Sequence, residues 1–288
     1  MNAIAILNRN KSDPKEVTAA LKAAGIDAAV EAVDGDQITE RCRAAVEGGA
    51  TLLIVGGGDG SVGSAAQALA GTDCALGILP LGTLNHLARD LGLPFDLEKA
   101  TAAIATGKPR AIDVAEVNGR VFVNNAAIGL YPLMVLDRDA QQDRLGRSKR
   151  LALLVASART LLRFHHQRLR LRAGKGDERV DTPLLFVGNN DYRLAVPDAG
   201  RRETLDDGRL SILVMRKKNR RGFLAAVGRA LLGMTREDDM ETMAAVEQLQ
   251  VDSDRSSIEV ALDGEPVGMR PPLKFGIRPK ALKVIAPA

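Results

Sequence analysis

The segment Gly56-Gly57-Gly58-Asp59-Gly60-Ser61 sets one carboxylate and one hydroxyl among four glycines. Residues without a Cβ let the backbone approach an anionic group. The N–H groups of such a turn, continued by a helix N-terminus, form a site for phosphate. Asp59 would be repelled by that anion unless it binds a metal or a sugar hydroxyl, or acts on a proton. The spacing is neither G-x-G-x-x-G nor GxxxxGK[ST], which speaks against a Rossmann dinucleotide site and a Walker ATPase. A glycine turn without a ligand is the competing explanation. A second polar loop, Pro80-Leu81-Gly82-Thr83-Leu84-Asn85-His86-Leu87-Ala88-Arg89, offers a hydroxyl at Thr83, an amide at Asn85 and a charge at Arg89. Thr and Asn also cap helices. Two such loops on successive strands, at the carboxyl ends where open α/β sheets bind ligands, still argue for a shared ligand.

Rigid elements must stand behind these loops. Apolar runs at residues 3–7, 52–55 and 76–79 read as buried parallel strands, and 27–33 as a further strand. Helical spacing covers 14–24, ending near Gly25, then 36–47 with Asp36 as N-cap, and 64–69 after the glycines. This rhythm predicts a parallel sheet with helices on both faces. From about residue 111 the texture changes. Strand-like stretches occur at 114–117, 121–124, 184–187, 210–215, 257–262 and 273–277, separated by turns such as Asn118-Gly119, Asp207-Gly208 and Asp263-Gly264. Helical insertions at 149–164 and 222–232 interrupt them. The expected fold class is therefore α/β + β: a three-layer α/β domain over residues 1–111, then an antiparallel β domain over 112–278.

Composition narrows the function classes. An apolar fraction of 45% and a charged fraction of 26% are those of a folded protein. Aromatics amount to 3% with no Trp, a poor set for stacking bases, and no nucleic-acid motif is present, so a nucleic-acid partner is not expected. The net charge of +4 modestly favours an anionic partner. Cys42 and Cys74 form no CxxC pair, so neither a disulfide framework nor a zinc cluster is expected, and a cytoplasmic setting fits. Residues 1–8 read as a first strand, not a signal peptide. No uncharged apolar run is long enough to span a bilayer, so any membrane contact would be peripheral. Residues 151–162 are largely apolar and run into His165-His166-Gln167-Arg168-Leu169-Arg170-Leu171-Arg172. Arg216-Lys217-Lys218-Asn219-Arg220-Arg221 holds five positive charges in six residues. Both suit anionic lipid; a domain-packing helix and a solvated charge run are the alternatives.

GGGDGS, followed after some twenty residues by PLGTLNHLARDLGLP, resembles the diacylglycerol-kinase catalytic-domain family, which includes bacterial lipid kinases and sphingosine kinases and is related in fold to NAD kinases and phosphofructokinases. Further segments are similar to that family over nearly the whole chain. They are Asn124-Asn125-Ala126-Ala127-Ile128-Gly129, Val187-Gly188-Asn189-Asn190, Leu205-Asp206-Asp207-Gly208-Arg209-Leu210 and Leu262-Asp263-Gly264-Glu265. The resemblance implies a nucleotide domain and a β-sandwich with the active site in the cleft between them. It also implies that a last strand, about 281–285, returns to the first domain, so that residues 279–288 complete it.

By the same resemblance, ATP would lie over Gly57, Gly58, Asp59, Gly60, Ser61, Gly82, Thr83 and Asn85, with Asn8 and the residues to Ser12 closing one side. Mg2+ would be held by Asp207 with the backbone carbonyls of Thr204 and Arg209. The base would lie in Asp263-Gly264-Glu265, with Asp59 as a further catalytic candidate. Phosphoryl transfer needs positioning, charge neutralisation and a carboxylate for the hydroxyl proton. In a regular strand Asp263 and Glu265 would share a face; a tight turn through Gly264 would alter that. Either could be the base, and an ordinary Asp-Gly hairpin is the alternative. The chain departs from the family pattern in Asn8-Arg9-Asn10-Lys11-Ser12, in Ser61 for Thr, in Gly63 and Ser64 for Asn and Glu, and in His86 for Asp. The expectation is an ATP- and Mg2+-dependent lipid kinase acting peripherally at a membrane, with a homodimer compatible. A soluble-substrate kinase and a nucleotide-binding regulatory protein are the alternatives.

Overall fold

The computed structural model describes residues 2–129, 166–174, 176–191, 202–216, 222–223, 225–226, 229 and 239–287. The chain divides into two compact units. One comprises Met1–Val123, Arg201–Gly208 and Arg278–Ala288; the other comprises Asn124–Gly200 and Arg209–Ile277.

The first unit is α/β. Its strands are β1 (Ala3–Asn8), β2 (Ala28–Val33), β3 (Leu52–Gly57) and β4 (Ala75–Pro80), joined by helices α1 (Pro14–Ala23), α2 (Ile38–Glu47) and α3 (Asp59–Leu69). Helices α4 (His86–Asp90) and α5 (Leu97–Thr106) follow, then β5 (Lys108–Val117) and β6 (Arg120–Phe122). The parallel order is β2-β1-β3-β4. Every position of β3 and β4 is buried. Alternate residues feed two cores: Leu53 and Val55 pack with Val62 and Leu69 of α3, whereas Leu52 and Ile54 pack with Val17 and Leu21 of α1. Each such side chain contributes roughly 1.5–3 kcal/mol by burial. Cys42 and Cys74 lie in the first of these cores, where burial pushes the Cys42 thiol up to about 12.

Two local expectations are corrected. The chain turns into α2 earlier than an Asp36 cap requires: a 3-10 turn, Gly35–Gln37, starts from Asp34 and contains Asp36. Helix α3 begins at Asp59, not at residue 64, with Gly58 as its extended N-cap. Gly60 and Gly63 lower helix propensity and hide its first turn from sequence pattern.

The second unit is a β-sandwich. Strands β7 (Asn125–Gly129), β8 (Gln167–Ala173), β9 (Gly176–Thr182), β10 (Leu184–Asn189) and β11 (Leu210–Val214) are followed by β12 (Glu241–Val246), β13 (Gln248–Ser253), β14 (Ile258–Leu262) and β15 (Glu265–Met269). One antiparallel sheet runs β12-β11-β10-β7-β14-β15. In the other, β13 pairs with β8 and β8 with β9, both antiparallel. Strand β16 (Leu273–Ala286) pairs antiparallel with β13 through residues 273–276. Its later part pairs in parallel with β4, Lys283 opposite Ala75. The stretch expected as one strand over 121–124 is split, β6 ending at Phe122 and β7 starting at Asn125.

The basic flank at 168–172 is strand β8, and its arginines face carboxylates. Arg170 binds Asp177 through Nε and Nη2 at 2.6 and 2.5 Å, and Arg172 lies 3.4 Å from Asp252. The helical insertion at 149–164 and the run 217–221 fall outside the described residues. Of the insertion at 222–232, residues 222, 223, 225, 226 and 229 are described, and they are helical.

Candidate active site

Strands β1, β3 and β4 run parallel, so their carboxyl ends open on one edge of the sheet. The chain passes from β1 out to β2 and back beyond β1 to β3, which makes that edge a switch point of the kind where open α/β sheets bind ligands. Asn8 ends β1, Gly57 ends β3 and Pro80 ends β4. Immediately after Gly57, α3 presents the amides of its first turn, which have no intrahelical acceptor. Its first closing bond is Val62 N–H to the Gly58 carbonyl, 3.1 Å. Glycine is required here by contact. A Cβ on Gly57 would stand 2.2 Å from Ser61 Oγ, and one on Gly82 would stand 2.4 Å from Gly58 Cα. The two glycine loops therefore touch backbone to backbone.

Asp59 joins these loops. Its Oδ2 accepts from Asn85 N–H at 3.0 Å and its Oδ1 from His86 N–H at 2.7 Å, capping α4 from a neighbouring helix. Asn85, itself left-handed with φ 49°, folds its side chain inward. Its Oδ1 accepts from Gly82 N–H at 3.0 Å, and its Nδ2 donates to the carbonyls of Gly82 and Pro80 at 2.9 and 3.2 Å. Asn8 Nδ2 donates to the buried Ser61 Oγ at 3.4 Å. Thr83 is exposed on the bend between them. The predicted residues Asn8, Gly57, Gly58, Asp59, Gly60, Ser61, Gly82, Thr83 and Asn85 thus come from three strand ends and form one constellation. Asp59, Asn85 and Asn8 shape it by binding protein groups.

The turn at 204–208 is held by a residue that sequence reasoning passed over. Asp113, 1% exposed in β5, accepts from Gly208 N–H and Lys280 N–H, each at 2.7 Å, and its own N–H donates to the Leu205 carbonyl at 2.8 Å. A carboxylate inside the apolar run of β5 was the available signal. Arg202 and Asp90, a buried ion pair of the same unit, gave none. Asp207 is exposed, and Thr204 Oγ1 is buried without a hydrogen-bond partner. Among the described residues no cluster of three or more His, Cys, Asp or Glu forms a metal site. A cation here would rely on one carboxylate plus neutral oxygens. That all-oxygen set is of the kind that suits Mg2+, and the buried Thr204 hydroxyl adds an unpartnered oxygen on the same turn. The Arg209 carbonyl also accepts from Asn190 N–H at 2.9 Å.

In the second unit, Asp263 and Gly264 are the loop of a two-residue hairpin, with Leu262 paired to Glu265. The two carboxylates are therefore not alternate residues of one strand. Asp263 adopts φ 48° and is half-buried. Its Oδ1 accepts from Asn124 N–H at 2.7 Å and Asn125 N–H at 3.1 Å, while its N–H donates to the Asn125 carbonyl at 2.9 Å. Glu265 is exposed. Asn124, Asn189 and Asn190, all 1% exposed, lie in the same unit, and Asn189 N–H donates to the Asn124 carbonyl.

An α/β unit carrying two interlocked glycine loops, together with a β-sandwich, defines a diacylglycerol-kinase-like fold. A crystal structure of a diacylglycerol kinase from Bacillus anthracis superposes with a TM-score of 0.70, covering 99% of this chain and 96% of that one at 20% identity. Residues 1–117 match the diacylglycerol kinase catalytic domain, and residues 135–286 match the YegS C-terminal NAD kinase beta sandwich-like domain. The protein named "Probable lipid kinase YegS-like" from Pseudomonas aeruginosa is 32% identical over 98% of this chain and 93% of its own length. The diacylglycerol kinase of Bacillus subtilis is 27% identical over 76% of this chain and 73% of its own. The chain belongs to the diacylglycerol-kinase catalytic-domain family, a family of nucleotide-using phosphotransferases.

Proposed function

We propose that this protein transfers the γ-phosphate of ATP, with Mg2+, to the hydroxyl of a diacylglycerol-like or sphingoid lipid at a membrane surface. The observation that carries it is the Asp59 link. One carboxylate ties the α3 amides to the 82–85 loop and spends its charge on two protein N–H groups, which leaves the adjoining backbone amides to the nucleotide phosphates. The relatives' names, lipid kinase and diacylglycerol kinase, support a lipid acceptor. That acceptor resides in a bilayer, and among the described residues no helix is long and apolar enough to cross one, which suits a peripheral approach.

The amides of α3 and the backbone at Gly58 and Gly82 would bind the phosphates. Asp207, with the Thr204 and Arg209 carbonyls, would hold Mg2+, whose charge offsets that of the phosphates. Asp263 would take the hydroxyl proton, since two backbone amides fix its carboxylate and Glu265 points its side chain from the exposed start of β15.

The test is transfer of labelled γ-phosphate from ATP and Mg2+ into an extracted total-lipid mixture. The native protein should label one lipid species, and Asp263→Ala should lower the rate by ~10²–10⁴-fold, as loss of a general base does. Asp59→Ala should abolish labelling through nucleotide binding. ATP binding without any labelled lipid would sink the lipid acceptor and favour a soluble substrate or a regulatory role.

A further inference from the structure

Asp90 is the last residue of α4, and Arg202 opens the segment that carries Thr204 and Asp207. Their side chains are 1% and 0% exposed. Arg202 Nε and Nη2 each lie 2.8 Å from Asp90 Oδ2, and Arg202 N–H reaches Asp90 Oδ1 at 3.3 Å. Arg202 Nη1 also donates to the carbonyl of Val123. A guanidinium presents its donors in a rigid planar fork, so these partners fix the direction of the chain leaving Arg202. The same α4 is gripped at its other end by Asp59, through the amides of Asn85 and His86. Beyond Arg202, Asp113 holds the turn again at Gly208. A continuous run of contacts therefore joins the glycine loops to the Asp207 turn, entirely within the first unit.

Neither the Asp90 nor the Arg202 side chain reaches solvent, so neither is placed to touch a nucleotide or a cation. A buried ion pair is also a poor source of stability, because desolvation offsets its attraction and a packed apolar pair often serves as well. We propose that Asp90 and Arg202 are positioning residues: they set Thr204 and Asp207 against the phosphate loops, so that a cation at this turn and a phosphate at α3 are held in register. On the kinase reading above, that cation is Mg2+.

The test is calorimetric titration of the full chain with MgCl2, in the native protein, the double variant Asp90→Leu/Arg202→Met, and Arg202→Lys. The double variant leaves no unpaired buried charge, and thermal unfolding reports whether it keeps the native Tm. Expected is Mg2+ affinity lowered by ~10–100-fold at native-like Tm, the usual effect of losing support behind a ligand set. Arg202→Lys keeps the charge and loses the fork. It provides the same measure should the double variant not fold, with weakened Mg2+ binding expected. Native Mg2+ affinity in a folded double variant, or in Arg202→Lys, overturns the positioning role and leaves the metal site standing. A native protein with no saturable Mg2+ binding overturns the metal assignment, and the proposal with it.

Discussion

A carboxylate beside a phosphate site is costly unless its charge is spent elsewhere, and Asp59 spends it on the amides of Asn85 and His86. The residue type and its place among glycines were plain in the sequence. That both oxygens face protein N–H groups 26 and 27 residues away was not, because no local pattern names so distant a partner. Gly82 makes the same point in steric terms. A Cβ there would lie 2.4 Å from Gly58 Cα and 2.7 Å from Asn85 Oδ1, so Gly82→Ala must push the loops apart. Overpacking of this kind costs about 1–3 kcal/mol. If the loops bind phosphate, the cost should fall on ligand affinity, and ATP titration should show roughly a tenfold loss or more, 1.4 kcal/mol being tenfold.

Among the elements, α3 and the turn after Arg202 owe their positions to other segments. The start of α3 holds Gly60 of the motif and then Gly63, so helical propensity is lowest where the helix matters most. Strand β8 was not among the expected strands for a different reason. Its Arg-Leu alternation is a strand period, but one carried by charged residues; the carboxylates opposite it lie on β9 and β13, whose own sequences carry little apolar alternation. Strand β5 supplies the buried Asp113. Asp113→Asn would leave either Gly208 N–H or Lys280 N–H facing an amide NH2. The expected cost is about 1–3 kcal/mol, the usual penalty for a buried group without its partner. A urea unfolding curve with an unchanged midpoint would argue against that role.

At the scale of the whole molecule, the chain leaves the α/β unit at Val123 and re-enters it twice, through Arg201–Gly208 and through the end of β16. The last re-entry completes the parallel sheet beside β4 and buries Leu282, Val284 and Ile285. Those side chains together represent roughly 5–9 kcal/mol of burial, by the usual figure for each. That is comparable with the net stability of a domain, about 5–15 kcal/mol. A chain ended after Ile277 should therefore lose the first unit, seen as loss of helical circular dichroism and rapid proteolysis of residues 1–123. A native-like helical signal would mean that β4 tolerates an open edge.

The amino-acid sequence alone determined the α/β rhythm, the change to β structure, both glycine loops and the Asp-Gly turns, since periodicity and turn chemistry are carried by neighbouring residues. It also marked Asp59 by its place among glycines, and Asp207 and Asp263 through the family resemblance. Tertiary structure decided what each of them touches. Asp59 meets α4, Asp263 meets the amides of Asn124 and Asn125, and the Asp207 turn is set by Asp113 and by the Asp90–Arg202 pair. Asp90 and Arg202 stand 112 positions apart, and Asp263 and Asn124 stand 139 apart. Such pairings exist only after the sheets have brought distant strand ends together. A carboxylate's partners are then fixed by which backbone amides the fold leaves unpaired beside it.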